Sequence, residues 1–406
     1  MPQDVDRPSI AWCHGRMTPS LRIAALLAVA VTVRAESLLV PTVAGDWQPI
    51  ASSPLKTLPA SPQGEQIAEP AAGQFYLFFE KTAAPAKASD TKAPSKPAPR
   101  ETRIYHSTDR KDLGVKDTHA DALHLMATLP IVDAQVVKQD GHWFVAGHAP
   151  DSPEVRVAQL EWKPVPTPAT ATSRPPGIKI RVALYDDSGS AGKGIPSVFE
   201  QLGRCKDMEV TKLDADGIRA GLNGYDVVIF TGGSGGKQAN TIGLLGREQV
   251  RRFVEAGGGY IGICAGAYLA CDGYSWGVKV LDAKTPSPKW ERGAATLEIE
   301  ATAEGQKTLG LPSKASVIYH NGPLLTPGGN PAIPDYEPLV FFRTETAKNG
   351  SPAGVQINTP AMARGAYGNG HVIACSPHPE QTEGMETWVE HAVRAVAPAG
   401  TKTAVR

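Results

Sequence analysis

Residues 257–270, GGGYIGICAGAYLA, decide the fold. The three leading glycines end the helical pattern before them, because glycine accepts the left-handed conformation that closes a helix. Residues 260–263 (YIGI) then read as a short apolar strand running straight into Cys264. Small residues flank the cysteine (Gly262, Ala265, Gly266), and a helical run follows. A sharp strand-to-helix turn tolerates only small neighbours and lifts the residue at its apex clear of the sheet, which is the logic of a nucleophile elbow. Backbone N–H groups and the positive end of the following helix raise the thiolate fraction of a cysteine placed there. The competing reading, a buried core cysteine, leaves the glycines on both sides unexplained.

Upstream of this turn, strands and helices alternate. KIRVALY ends a strand at Tyr185, MEVTKL forms another over 208–213, and DVVIF a third over 226–230. Between them the pattern predicts helices near 196–202 and over 215–222, then one over 247–256 that buries Val250, Phe253 and Val254. Such alternation predicts an α/β fold with a doubly wound, mostly parallel, flavodoxin-like sheet. Beyond Cys271 the pattern becomes strand-rich as far as Ser376, and a last helix is expected over 383–396.

That last strand supplies the partner a thiol needs. HVIACSPHPEQ ends in a turn, stiffened by Pro377 and Pro379, that presents His378 and, two residues on, Glu380. A carboxylate at that spacing bonds one ring nitrogen and fixes the tautomer, leaving the other nitrogen for the thiol. GICAG followed by HPE resembles the class I glutamine amidotransferase superfamily. The resemblance covers about residues 178–398 and implies a triad of Cys264, His378 and Glu380. More narrowly, ALYDDSGS, TGGSGG, GICAGAYL and YHNGP together resemble the amidotransferase-like N-terminal domain of biotin–protein ligases.

The resemblance also implies an oxyanion loop at Gly232 and Gly233, with a backbone N–H near Gly233 paired to that of Ala265. A phosphate-loop reading of the same glycines fails, since Thr231 replaces the first glycine of G-x4-G-K-[ST] and Gln238 its hydroxyl residue. Asn321 in YHNGP is expected to hydrogen-bond a substrate carbonyl or to be a plain turn residue. One position departs from the family: where true amidotransferases carry glutamine after the elbow, this chain has Tyr268. An aromatic side chain there alters the pocket for the α-carbon groups of glutamine and speaks against that substrate. No synthetase sequence that would receive ammonia is legible, nor the Gly-Arg-Gly-Arg adenylate loop of biotin attachment, so the chain does not read as a biotin ligase. The spacings of His119 with His124 and of His142 with His148 match no zinc pattern. Neither metal nor organic cofactor is expected.

The N-terminal half is of another kind. From Met17, a positive flank at Arg22, an apolar run over 23–33 and Val33-Arg34-Ala35 have the layout of a secretory signal peptide, too short for a membrane anchor. The expectation is an exported protein, periplasmic or extracellular, with no membrane span. Strand-like pieces (GQFYLFFE, TRIYHS, HWFVA, VRVAQLEW) and the turn signal Asp140-Gly141 predict a small β-rich domain over 36–162. Some of these strings resemble blades of five-bladed propellers, but the segment is too short for one. The Ala/Pro/Lys-rich residues 82–100 are expected to be a disordered loop, and the Pro-rich residues 163–177 a linker before the domain at 178–398. Cleavage at Ala35 would leave Cys205, Cys264, Cys271 and Cys375, and a Cys271–Cys375 or Cys205–Cys375 bridge stays open. Lysine plus arginine (41) balances aspartate plus glutamate (41), which excludes a basic field for nucleic acid.

Two functions fit these residues. One is an exported cysteine hydrolase acting on a small-molecule or peptide amide. The other is a non-catalytic binding module that keeps the elbow as architecture and meets an envelope or carbohydrate partner through its β-rich domain.

Overall fold

The computed structural model describes residues 38–55, 66–82, 100–107, 124–165, 178–287 and 290–398. The signal-like segment 1–35, most of the stretches 82–100 and 163–177, His119 and the tail 399–406 lie outside the described residues.

The aromatic and β-branched runs of the N-terminal half form β1 (Leu39–Pro49), β2 (Gln66–Ala71), β3 (Gln74–Thr82), β4 (Arg100–Ser107), β5 (His124–Leu129), β6 (Val132–Gln139), β7 (His142–His148) and β8 (Val155–Pro164). They pair in two four-stranded sheets, β1-β8-β7-β6 and β2-β3-β4-β5. Asp140 and Gly141 close the β6–β7 hairpin with φ of 50° and 82°, the two positive values a type I′ turn requires. Tyr76 and Ile104 from one sheet and Val145 and Leu160 from the other meet in a single buried cluster. Two sheets that share a core are a sandwich-like arrangement rather than a set of propeller blades.

The α/β part runs β9 (Ile180–Tyr185), α1 (Gly194–Gly203), β10 (Met208–Leu213), α2 (Ala215–Ala220), β11 (Val227–Phe230), α3 (Gly235–Glu255), β12 (Gly259–Ile263) and α4 (Ala265–Ala270). It continues through β13 (Ala283–Lys284), β14 (Ala294–Ala301), α5 (Ala303–Leu309), β15 (Lys314–His320), β16 (Thr326–Pro327), β17 (Glu337–Phe342), β18 (Pro360–Tyr367), β19 (Gly370–Cys375) and α6 (Trp388–Val396). Ile180, Val182 and Leu184 of β9 enter one buried cluster with side chains of α1 and α6, while Ala183 and Tyr185 enter another with α2, α3 and α4. This period of two places helices on both faces of the sheet. Each such aliphatic side chain contributes about 1.5–3 kcal/mol when fully buried.

The sheet has nine strands in the order β10-β9-β11-β12-β19-β18-β17-β14-β15. Neighbours from β10 to β19 are parallel, and those from β19 to β15 are antiparallel. The sheet is therefore mixed, which corrects the mostly parallel one expected from the sequence. Parallel neighbours need long crossovers, whereas antiparallel ones can be joined by a tight turn such as Gly368-Asn369 between β18 and β19. The stretch after Cys271 is poor in helical crossovers, and its strands pair antiparallel accordingly. Helix α3 begins twelve residues before the predicted 247, at Gly235. Gly235, Gly236, Gly243 and Gly246 hide the helical period there, and Gly243 breaks the helix locally at φ 68°.

The described residues from Leu38 onward form one compact unit. Part of the reason is Leu245 of α3, which is buried in the same cluster as Met126 and Leu129 of the β-rich half. Cys205, Cys264, Cys271 and Cys375 are all free thiols, so neither bridge left open by the sequence forms. Among the described residues no helix is long and apolar enough to cross a membrane.

Candidate functional site

Every residue of β12 is buried, and the strand delivers Cys264 at φ 51°, ψ −99°, a conformation that costs a non-glycine residue free energy and marks a constrained turn. The constraint is steric. A Cβ on Gly262 would stand 2.3 Å from the Gly266 carbonyl oxygen, and one on Gly266 would stand 2.1 Å from that of Phe230. Backbone meets backbone at both contacts, so neither neighbour can give way. The Cys264 N–H donates to the Cys375 carbonyl at 2.7 Å, its own carbonyl accepts from Ala267 and Tyr268, and its thiol donates to the His320 carbonyl at 3.3 Å. Helix α4 has only six residues, so its dipole is short and charge at the thiol depends mainly on neighbouring side chains.

The neighbour is His378, carried by the turn after β19. Its backbone N–H donates to the Ile318 carbonyl at 2.7 Å, and its carbonyl accepts from the Thr382 hydroxyl at 2.7 Å. Nδ1 pairs with Glu380 Oε1 at 2.8 Å, with the two residues 7% and 2% exposed. Gln381 Nε2 donates to the same carboxylate oxygen at 2.8 Å. Since an ionised carboxylate only accepts, Nδ1 carries a proton and Nε2 is left for the cavity. Gly232 makes room for the ring, since a Cβ there would lie 2.8 Å from His378 Cε1. Burial opposes the charged imidazole, but hydrogen bonds to Cys264 and Glu380 outweigh it and raise the His378 pKa to about 10. Glu380 is itself anchored through its backbone carbonyl, which accepts from Gln201 Nε2 of α1 at 2.9 Å.

Cys264, His378, Gly232, Gly233, Tyr268 and Asn321 all line one cavity of about 480 Å³. Glu380 reaches that cavity only through His378, and Ala265, 1% exposed, is not part of its lining. Gly233 sits at φ 136° beneath the loop that carries Ser190, and the N–H groups on either side of this bridge are taken: Ala191 donates to Gly232 and Ser234 to Gly189. Asn321 takes φ 52°, which asparagine tolerates well. Its Oδ1 accepts from the Gly293 N–H, and its carbonyl accepts from the Tyr268 hydroxyl at 3.1 Å. The Asn321 amide nitrogen is what remains to donate.

Sequence reasoning missed several lining residues: Ser190 and its glycine-rich loop, Lys237, His320 and Gln381. The loop enters the sequence reading as the end of ALYDDSGS, one of the strings that carry the resemblance, with no role given to Ser190. What seats it is contact, since a Cβ on Gly189 would lie 2.4 Å from the Gln238 backbone nitrogen of α3. Among the described residues no group of three His, Cys, Asp or Glu side chains is placed to hold a metal ion.

Residues 180–284 match the family model described as biotin-protein ligase, N terminal. The matched stretch contains Gly232, Gly233, Cys264, Ala265 and Tyr268 and stops before Asn321, His378 and Glu380. No curated protein matches the chain. Among solved structures, a cytoplasmic protein from Salmonella typhimurium is similar at 11% identity and a TM-score of 0.37, over 54% of this chain and 99% of that one. A protein described as ThuA-like from Bacteroides uniformis matches at 14% identity and a TM-score of 0.36, over 55% of this chain and 93% of that one. A beta-galactosidase from Bacillus circulans sp. alkalophilus matches at 17% identity and 0.31, over 54% of this chain and 32% of its own.

Proposed function

We propose, from the premise that residues 180–284 are an amidotransferase-like segment of the biotin–protein ligase N-terminal kind, that the protein is an exported cysteine hydrolase of amide or similar acyl bonds. The observation that carries the reading is that His378, paired to Glu380 at 2.8 Å, lines one cavity with the strained Cys264. Export rests on the apolar run at 23–33 and the small-residue site that follows it.

In this reading, the imidazolium of His378 favours the thiolate of Cys264, whose sulfur attacks the substrate carbonyl. The developing oxyanion takes a hydrogen bond from the Gly233 N–H and a second from the Asn321 amide. His378 Nε2 gives its proton to the departing amine, and the C–N bond breaks to leave a thioester on Cys264. Water, deprotonated by the now neutral His378, then attacks the thioester; the C–S bond breaks, the acid departs, and the thiolate–imidazolium pair is restored. Glu380 holds the ring in place throughout.

The test needs no known substrate. Iodoacetamide should alkylate Cys264 rapidly at pH 7, and His378→Ala should slow it by roughly tenfold or more, since a free thiol is only a few per cent ionised there. An ordinary, slow thiol indifferent to His378 would sink the hydrolase and favour the non-catalytic binding module. With a substrate in hand from an amide panel, Cys264→Ala should abolish turnover and leave the circular dichroism spectrum unchanged.

A further inference from the structure

Beside the cavity of Cys264 lies a second one, of about 780 Å³, and Gly233, Ser234, Tyr268 and Asn321 form the wall between them. Four aromatic side chains line the second cavity: Tyr268, Tyr274, Trp276 and Trp290. Tyr274 stacks on Trp276 with centroids 4.5 Å apart, and Tyr268 meets Tyr274 edge-on at 5.9 Å. The start of α3 packs closely here, since a Cβ on Gly235 would lie 2.8 Å from the Ala265 carbonyl oxygen and 3.2 Å from the Trp276 ring. Tyr268, Tyr274 and Trp276 are therefore packed on one another before any ligand arrives.

The polar groups on this lining are largely engaged with one another. Tyr274 and Thr285 share a hydrogen bond of 2.5 Å, Tyr268 donates to the Asn321 carbonyl, and the Ser234 hydroxyl accepts from the Lys237 N–H. What stays available is aromatic surface, the Asn321 amide nitrogen, the Ser275 hydroxyl and the carboxylate of Glu291, the one acidic side chain on the lining. Among the described residues that exposed carboxylate has no hydrogen-bond or ion-pair partner, and no lysine or arginine lines the cavity. A sugar would need many neutral donors and acceptors, and of the amide and hydroxyl side chains on this lining only those of Asn321 and Ser275 are left to supply them. A cation needs ring surface and a negative charge, which here are free. The neighbouring cavity has the opposite character, with the Lys237 amine and His378 on its lining.

We propose that this second cavity is a subsite for a cationic group, an alkylammonium, carried by the ligand whose carbonyl lies at Cys264. Calling that ligand a substrate rests on the hydrolase reading above; the cation preference does not. An amide spanning both cavities would set its carbonyl against the thiol and its ammonium between Trp290 and Glu291.

Choline and its neutral isostere 3,3-dimethylbutan-1-ol distinguish the chemistry, with glucose as a third probe. Each is titrated into the Cys264→Ala chain by calorimetry and tryptophan fluorescence. Choline should bind saturably, about tenfold or more tighter than the alcohol, and Glu291→Gln and Trp290→Ala should each weaken it by about fivefold or more. The proposal is overturned by absent choline binding, by equal affinity for the two isosteres, by an unchanged affinity in Glu291→Gln, or by saturable binding of glucose alone. Alkylation of Cys264 in the wild-type chain separates the two readings. A fast thiol without choline binding overturns the subsite only, and choline binding beside an ordinary thiol keeps the subsite and overturns the hydrolase.

Discussion

Gly232 is the residue on which the geometry at His378 turns. A methyl group there would lie 2.8 Å from Cε1 of a ring already fixed by Glu380 and by its own backbone hydrogen bonds. The ring has to shift to admit it. Gly232→Ala should therefore slow alkylation of Cys264 at pH 7 toward the His378→Ala rate, with a stability loss of about 1–3 kcal/mol in urea melts. Alkylation at the wild-type rate would mean that the contact does not set the ring's position. His378 also has a pH signature. Its folded-state pKa is raised from 6.5 to about 10, so its contribution to stability is fully present below about 6.5 and is lost as pH rises through about 10. Urea melts of wild type and His378→Gln across that window should show a wild-type advantage that shrinks as pH rises. A constant difference would mean that the imidazole is not held protonated.

Helix α3 carries the same kind of argument at the scale of an element. Its interior Gly243 adopts φ 68°, ψ −174°, a region open in practice only to glycine. Gly243→Ala should cost about 1–3 kcal/mol, seen as a lower urea midpoint; an unchanged midpoint would show that the break straightens freely. This helix also shows how much was legible in the sequence. The elbow was, because GICAG needs both glycines for reasons that a chain of letters already implies. The strands β9 to β12 were legible for the same reason, as short apolar runs alternate with helical periods. The first half of α3 was not, because four glycines erase the apolar stripe on which the reading depends. The antiparallel half of the sheet was not legible either, since pairing direction is set by contacts between β14, β15, β17, β18 and β19 far apart in sequence. Cys264, His378 and Glu380 could be named from the order of the elbow and a late H-x-E turn, together with the family resemblance that this order carries. Lys237, the Ser190 loop and the aromatic cavity could not, because each reaches the site only through tertiary packing.

At the scale of the molecule, the two halves should respond differently to acid. His106 of β4 is 2% exposed, sits 4.9 Å from the Tyr76 ring, and neither of its ring nitrogens has a hydrogen-bond partner among the described residues. Burial lowers its pKa from 6.5 to about 4. A histidine with a depressed pKa contributes stability that is complete above about 6.5 and is lost as pH falls toward about 4, where protonation must put an unpaired charge into the core. The loss amounts to roughly 3 kcal/mol at the lower limit, at about 1.4 kcal/mol per pKa unit. His378 adds no such loss in this window, since the contribution of a raised pKa is already complete below about 6.5. The β-rich half should therefore loosen first on acidification. Leu245, shared between α3 and the β-rich core, is where that loosening reaches the α/β half. Tryptophan fluorescence from Trp143 and Trp162, isolated by replacing the other tryptophans, should change between pH 6 and 4 before the amide exchange of β9 and β12 does. His106→Phe, which keeps a ring in the core and removes the ionisable group, should move that change to lower pH. If β12 exchanges as early as β7, or if His106→Phe leaves the transition where it was, the acid response belongs to the carboxylates of the whole chain and not to one buried imidazole.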